Sequence, residues 1–154
     1  MTDRNPLALE EQVCFALAVA SREVVAAYRH VLEPLGLTHP QYLVMLALWQ
    51  HDEQSAGSGL SVKDLSALLH LDPGTLSPLL KRLEGAGMIS RDRSSSDERV
   101  LEVGVTAQGH ALRERALAVP TTMLSRLGMT EDDLAATNTV LHRIIDAAHE
   151  SVTA

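Results

Sequence analysis

Two helix-start signals eleven residues apart, followed by a pair of glycines and two short extended runs, constrain this chain more than any other feature. Ser61 with Asp64 forms a capping pair, whose hydroxyl and carboxylate satisfy free N–H groups at the start of a short helix through Leu69. Asp72 followed by Pro73 repeats the signal, because proline at a first helical position gives up an N–H that had no partner. The two helices meet at His70-Leu71-Asp72 and make a helix-turn-helix. In the second helix Leu76, Leu79, Leu80 and Leu83 fall at three-and-four spacing and form its buried stripe. Pro78 lies inside it. A proline there typically costs ~3 kcal/mol through a lost hydrogen bond and a clash one turn back, at Gly74, so a local kink or tightened turn is expected.

Gly85 and Gly87 stop that helix, and Met88–Arg91 and Val100–Val105 read as two strands joined by the polar turn Arg93-Ser94-Ser95-Ser96-Asp97-Glu98. A helix-turn-helix followed by a β-hairpin is a winged helix, here between about Ser61 and Thr106. Aromatic residues are only 3 % of the chain, which disfavours a sheet sandwich. The expected fold is mainly α with a small β-hairpin wing.

Helices flank this lobe. From Leu9 to Glu33, apolar residues at Val13, Leu17, Ala20, Val24, Ala27 and Val31 present one seam to a partner helix, ended by Pro34 and Gly36. A second helix is expected from Pro40 to about Asp52, then a loop at Ser55-Ala56-Gly57-Ser58-Gly59. Thr106 caps a long helix interrupted at Pro120, and Thr130 with Asp133 caps a last helix with Leu134, Leu141, Ile144, Ile145 and Ala148 on one side. The expected organisation is therefore a dimerisation helix in 1–36, the DNA-binding lobe in 37–106 and dimerisation helices in 107–154. At 154 residues and 45 % apolar content, one dimerising protomer is expected.

A formal charge of −7 argues against nucleic acid unless the charge is unevenly spread. It is uneven. Residues 1–60 hold three Arg against seven acids and 100–154 four against seven, whereas 61–99 balances Lys63, Lys81, Arg82, Arg91, Arg93 and Arg99 against six acids. Every lysine lies in that middle third, so a basic face there is possible.

Thr75, Ser77, Lys81 and Arg82, with Pro78 among them, occupy the face opposite the leucines and have the size and hydrogen-bonding capacity to read a major groove. An ordinary solvated helix face would look the same. The hairpin favours the DNA reading, since Arg91, Arg93 and Arg99 can reach an adjacent minor groove. Asp97 and Arg99, two apart on the return strand, can pair and set the shape of the wing; an exposed pair stabilises by only ~0–1 kcal/mol.

From about Leu9 to His149 the chain resembles the MarR family of bacterial regulators. Within it, Cys14-Phe15-Ala16-Leu17, Pro40-Gln41-Tyr42-Leu43, the string Leu71 to Glu84 and Asp97-Glu98-Arg99 resemble the organic hydroperoxide resistance regulator (OhrR) branch. The resemblance implies a MarR-like homodimer built from the terminal helices, with recognition helices in successive major grooves of a pseudo-palindromic double-stranded operator. It also implies repression relieved by oxidation of Cys14. Read alone, a single cysteine on an apolar helix is more often a small buried hydrophobe.

Tyr28 matches a tyrosine that in the family hydrogen-bonds the reactive cysteine. It lies fourteen residues from Cys14 on one helix, roughly 21 Å at 1.5 Å per residue, so the pair requires the partner subunit. His39 stands where relatives commonly carry a tyrosine, and Ala18 replaces another. The implied chemistry is thiolate attack on an organic hydroperoxide to give a sulfenic acid. With one cysteine, the next product is a mixed disulfide with a low-molecular-weight thiol, a sulfenamide, an interchain disulfide or an over-oxidised acid.

Rival readings are a regulator released by a non-covalent aromatic ligand and a one-cysteine thiol peroxidase, though no peroxidase motif is present. His30, His39, His51, His70, His110, His142 and His149 lack metal-type spacing, so neither a metal nor another cofactor is expected. No signal peptide or apolar run of ~18 residues is seen, which with the lone cysteine leads to an expected cytoplasmic location without a membrane partner.

Overall fold

The computed structural model describes residues 4–55 and 58–154; Ala56 and Gly57, the centre of the expected Ser55–Gly59 loop, lie outside the described residues. The chain divides into two units, one reaching Leu117 and the other spanning Ala118–Ala154. The division falls just before Pro120, where the helix that follows Thr106 is interrupted.

In the first unit, α1 (Val13–Leu32) is preceded by a 3-10 turn at Leu9–Glu11 and followed by another at Glu33–Leu35. Gly36 closes that second turn at φ 69°, a left-handed conformation that suits glycine. Only Leu32 of α1 is buried. α2 (His39–Ser55) starts on a reciprocal cap: Gln41 N–H donates to Thr38 Oγ1 at 3.4 Å while Thr38 N–H donates to Gln41 Oε1 at 3.0 Å. α2 is the central helix of this unit, burying Tyr42, Val44, Met45, Ala47, Leu48 and Trp49.

β1 (Leu60–Ser61) leads directly into α3 (Val62–Leu69), and α4 (Pro73–Gly85) follows. Ser61 Oγ accepts from Asp64 N–H at 3.0 Å and Asp72 Oδ1 from Thr75 N–H at 2.9 Å, the two caps expected from sequence. His70 makes the turn at φ 53°, the only non-glycine residue with positive φ among the described residues. α4 runs without interruption past Pro78 and buries Leu76, Leu80 and Leu83, while Leu79 is half-buried at the edge of the stripe. Pro78 cannot donate to the Gly74 carbonyl one turn back, and the helix nonetheless continues from Pro73 to Gly85.

β2 (Ile89–Arg93) and β3 (Leu101–Val105) form the expected hairpin, paired antiparallel from Ile89↔Val105 to Arg93↔Leu101. The hairpin is not alone. β1 pairs with β3 through Leu60↔Val103 and Ser61↔Glu102, giving a three-stranded sheet of order β1-β3-β2. A two-residue strand carries no periodicity, which is why the sequence shows a cap at Ser61 and no strand.

α5 (Ala107–Ala116) starts at Thr106, whose hydroxyl donates to the Gly87 carbonyl at 2.6 Å and accepts from Gly109 N–H at 3.0 Å. Trp49 Nε1 donates to the Gly109 carbonyl at 3.1 Å, and a contact between His110 Nε2 and Asp52 Oδ2 (3.5 Å) and a Glu53–Arg113 ion pair also join α2 to α5. In the second unit, α6 (Val119–Arg126) carries Pro120 in its first turn. α7 (Glu131–Thr153) opens on a full capping box between Thr130 and Asp133. No residue of α7 is buried; Leu134, Val140 and Ile145 are exposed.

Candidate nucleic-acid interface and redox site

α4 turns Leu76, Leu80 and Leu83 inward, which leaves Ser77, Pro78, Lys81 and Arg82 exposed on the opposite side. Thr75 is exposed too, but its hydroxyl donates to Asp72 Oδ2 at 2.8 Å. Together with the Thr75 N–H, that bond holds the Asp72 carboxyl below its ordinary value. The donor of Thr75 is therefore committed to the cap, and only its acceptor capacity faces outward.

The wing closes on itself. Arg93 Nη1 donates to the Glu98 carbonyl at 3.1 Å, and Ser94 N–H to the Val100 carbonyl at 2.8 Å. Asp97 Oδ1 accepts from both the backbone N–H and Nε of Arg99, at 3.1 and 3.2 Å. The Arg99 side chain is 91 % exposed, so this pair orients the turn more than it stabilises it.

Arg91 behaves differently from the other two wing arginines. Its Nε and Nη2 fork onto the two carboxylate oxygens of Glu84, each at 3.2 Å, and the guanidinium holds Glu84 below its ordinary value. Lys63, Ser77, Arg91, Arg93 and Arg99 all line one concavity of about 1050 Å³ between α3, α4 and the wing. By sequence Lys63 enters only the charge balance and Glu84 only the end of the Leu71 to Glu84 string, neither as a site residue. Neither lies on a periodic stripe, and the Glu84–Arg91 spacing of seven spans a helix end, a turn and a strand.

Cys14 is exposed, the second residue of α1, and Gln12 ahead of it provides no side-chain cap to the first-turn N–H groups. Cys14 is therefore no part of this chain's own core. Tyr28 lies on the same unbroken helix, roughly 21 Å away along its axis. Its ring packs instead on His39, with centroids 5.1 Å apart, and on Tyr42 at 5.8 Å. Burial pushes the Tyr28 hydroxyl up, and burial together with Tyr28 pushes Tyr42 up to about 12. Burial also lowers His39, so its imidazole is neutral at pH 7. One chain thus brings Tyr28 and His39 together and leaves Cys14 apart from them. Among the described residues no group of three His, Cys, Asp or Glu could hold a metal ion, and no helix is long and apolar enough to cross a membrane.

A family model described as transcriptional regulator SarA/Rot matches residues 26–115. The chain is 39 % identical, over 92 % of each sequence, to the organic hydroperoxide resistance transcriptional regulator of Bacillus subtilis. It is similar to AbfR of Staphylococcus epidermidis, with TM-score 0.74, 30 % identity and 95 % of both chains covered. AbfR has also been solved over-oxidised and bound to DNA, and that structure matches at TM-score 0.70 and 28 % identity, covering 91 % of this chain and 94 % of that one. CouR of Rhodococcus jostii, a transcriptional repressor solved on a 23-mer DNA duplex, matches at TM-score 0.74 and 26 % identity, over 94 % of this chain and 99 % of that one. These relatives are regulators rather than enzymes, and the helix-turn-helix followed by a small antiparallel sheet agrees with their winged-helix fold. The chain belongs to the MarR family of winged-helix, DNA-binding transcriptional regulators, on its one-cysteine, OhrR-like branch.

Proposed function

We propose that the protein is a homodimeric repressor that releases its operator when an organic hydroperoxide oxidises Cys14. The exposure of its lone cysteine in the first turn of α1 carries this reading, because the sulfur is within reach of a peroxide. The Cys14 thiolate attacks the terminal oxygen of the hydroperoxide. The O–O bond breaks, the alkoxide leaves and takes a proton as an alcohol, and the cysteine becomes a sulfenic acid.

A second copy supplies what one chain lacks. Leu9, Val13 and Phe15 near the head of α1 are exposed, as are Leu134, Val140 and Ile145 on α7, and pairing such faces buries them by isologous contact. The partner's Tyr28, backed by neutral His39, would then face Cys14. Ser77, Lys81 and Arg82 read the major groove and its phosphates, and the wing brings Arg93 and Arg99 to the flanking minor groove.

The test uses operator duplex selected by the wild-type protein from a random library. Cys14→Ser is expected to bind it as the wild type does and to stay bound when an organic hydroperoxide is added; release at wild-type peroxide levels would exclude Cys14 as the sensor. A second reading is supported by a concavity of about 500 Å³ lined by Val25, Arg29, Leu37 and His39. A small aromatic acid seated there would release DNA without touching Cys14, and in that case Cys14→Ser retains full response to the ligand.

A further inference from the structure

We propose that Arg91 is not a DNA contact but a positioning residue, whose fork onto Glu84 fixes the angle between the recognition helix and the wing. The proposal rests on the DNA-binding reading above and assigns Arg91 a different part in it. Strand alternation puts Arg91 on the same side of β2 as Ile89, which is buried. Its side chain is 26 % exposed, against 91 % for Arg99. Two of its nitrogens are already spent on the two oxygens of one carboxylate, the geometry in which arginine is most strongly directed.

The position of the fork explains its purpose. α4 is joined to β2 through Gly87, at φ 78°, with Gly87 N–H bonded to the Glu84 carbonyl and Met88 N–H to the Leu83 carbonyl, both at 3.0 Å. These bonds, with those from Thr106 to the Gly87 and Met88 carbonyls, fix the base of the strand as one point of attachment. The third strand supports the sheet only at Val103 and Glu102, which pair across to Arg91 and Asp92; beyond that level β2 and β3 have only each other. Arg91 lies in this supported stretch, one residue before it ends at Asp92. A bidentate tie from there to the last turn of α4 is a second point of attachment, and two points define the angle at which Arg93 and Arg99 are presented.

A charge exchange separates positioning from contact. Wild type, Glu84→Arg, Arg91→Glu and the double exchange are compared by anisotropy titration on the selected duplex over a range of salt, each after its thermal transition shows it folded. If the fork positions the wing, each single reversal weakens binding by about tenfold or more and lowers the salt slope as wing arginines leave their phosphates, and the double exchange recovers both. If Arg91 contacts DNA, Glu84→Arg tightens binding by adding positive charge, and the double exchange binds no better than Arg91→Glu; either result overturns the proposal. The milder Glu84→Gln keeps the test open should a reversal unfold the chain, since positioning requires weaker binding and a direct contact requires stronger. A wild-type chain that bound no selected duplex at all would remove the DNA-binding reading, and the positioning role with it.

Discussion

Gly109 lies where the first turn of α5 passes close to the Met88 carbonyl and Val105, and adding one methyl group there tests whether that approach is rigid. A Cβ at Gly109 would lie 2.2 Å from the Met88 carbonyl oxygen and 2.7 Å from Val105 Cγ1, the first roughly 1 Å inside van der Waals contact. The carbonyl is backbone and is already bonded to Thr106 N–H, so the helix has to move instead. Overpacking of this kind costs about 1–3 kcal/mol. Moving α5 also strains the 3.1 Å bond from Trp49 to the Gly109 carbonyl, a further ~0.5–1.5 kcal/mol. Against this, alanine gains ~1 kcal/mol over glycine in a helix. The net is about 2 kcal/mol of destabilisation, a fall in Tm of about 4–8 °C for a chain of this size. Differential scanning calorimetry at fixed protomer concentration measures it, with Gly85→Ala as the control, since nothing lies within 4 Å of a Cβ there. A Gly109→Ala protein melting within about 1 °C of wild type would refute the claim that α5 is held against a fixed carbonyl.

Thr106→Val keeps the shape of the side chain and removes the hydroxyl that serves Gly87 and Gly109; a loss of about 1–2 kcal/mol in denaturant unfolding is expected, and no loss would mean the cap is idle. Stability falls with acid in two stages. Burial lowers His39 from its ordinary 6.5, so the folded chain binds fewer protons than the unfolded one and stability declines as pH falls through that value. Asp72, Glu84 and Asp133 are lowered from 3.8, 4.5 and 3.8 by Thr75, Arg91 and Thr130, so their contribution is complete above about pH 5 and is lost below. Tm measured against pH should show both declines, and an acid limb just as steep in an Asp72→Asn, Asp133→Asn double variant would be the contrary result. Lys81→Ala and Arg82→Ala should each weaken operator binding and reduce its salt slope by about one, and an unchanged slope would remove that side chain from the phosphate contacts.

What the sequence made legible follows from how far each interaction reaches along the chain. The caps at Ser61, Asp72, Thr106 and Thr130 are side chains bonded to N–H groups three residues on, so their identity and spacing appear in the letters themselves. The leucine stripe of α4 is legible for the same reason. The bond from Trp49 to Gly109 spans sixty residues, and the pairing of Leu60 with Val103 spans 103 − 60 = 43, and nothing local announces either. Arg91 shows the limit most plainly. By residue type and place it reads as a third wing arginine, and only the structure shows its guanidinium turned onto Glu84. His39 is similar: nothing in its sequence neighbourhood announces that the Tyr28 ring, from another helix, packs on it.

The closed wing has an entropic consequence. The seven residues from Ser94 to Val100 are tied by their own side chains before any duplex arrives. Ordering a free loop on binding would cost about 0.5–1.5 kcal/mol for each side chain immobilised. Here that loss of freedom accompanies folding, so it subtracts little from operator affinity. Two of the serines in that turn, Ser94 and Ser96, bond to each other at 3.0 Å and close it in the absence of DNA.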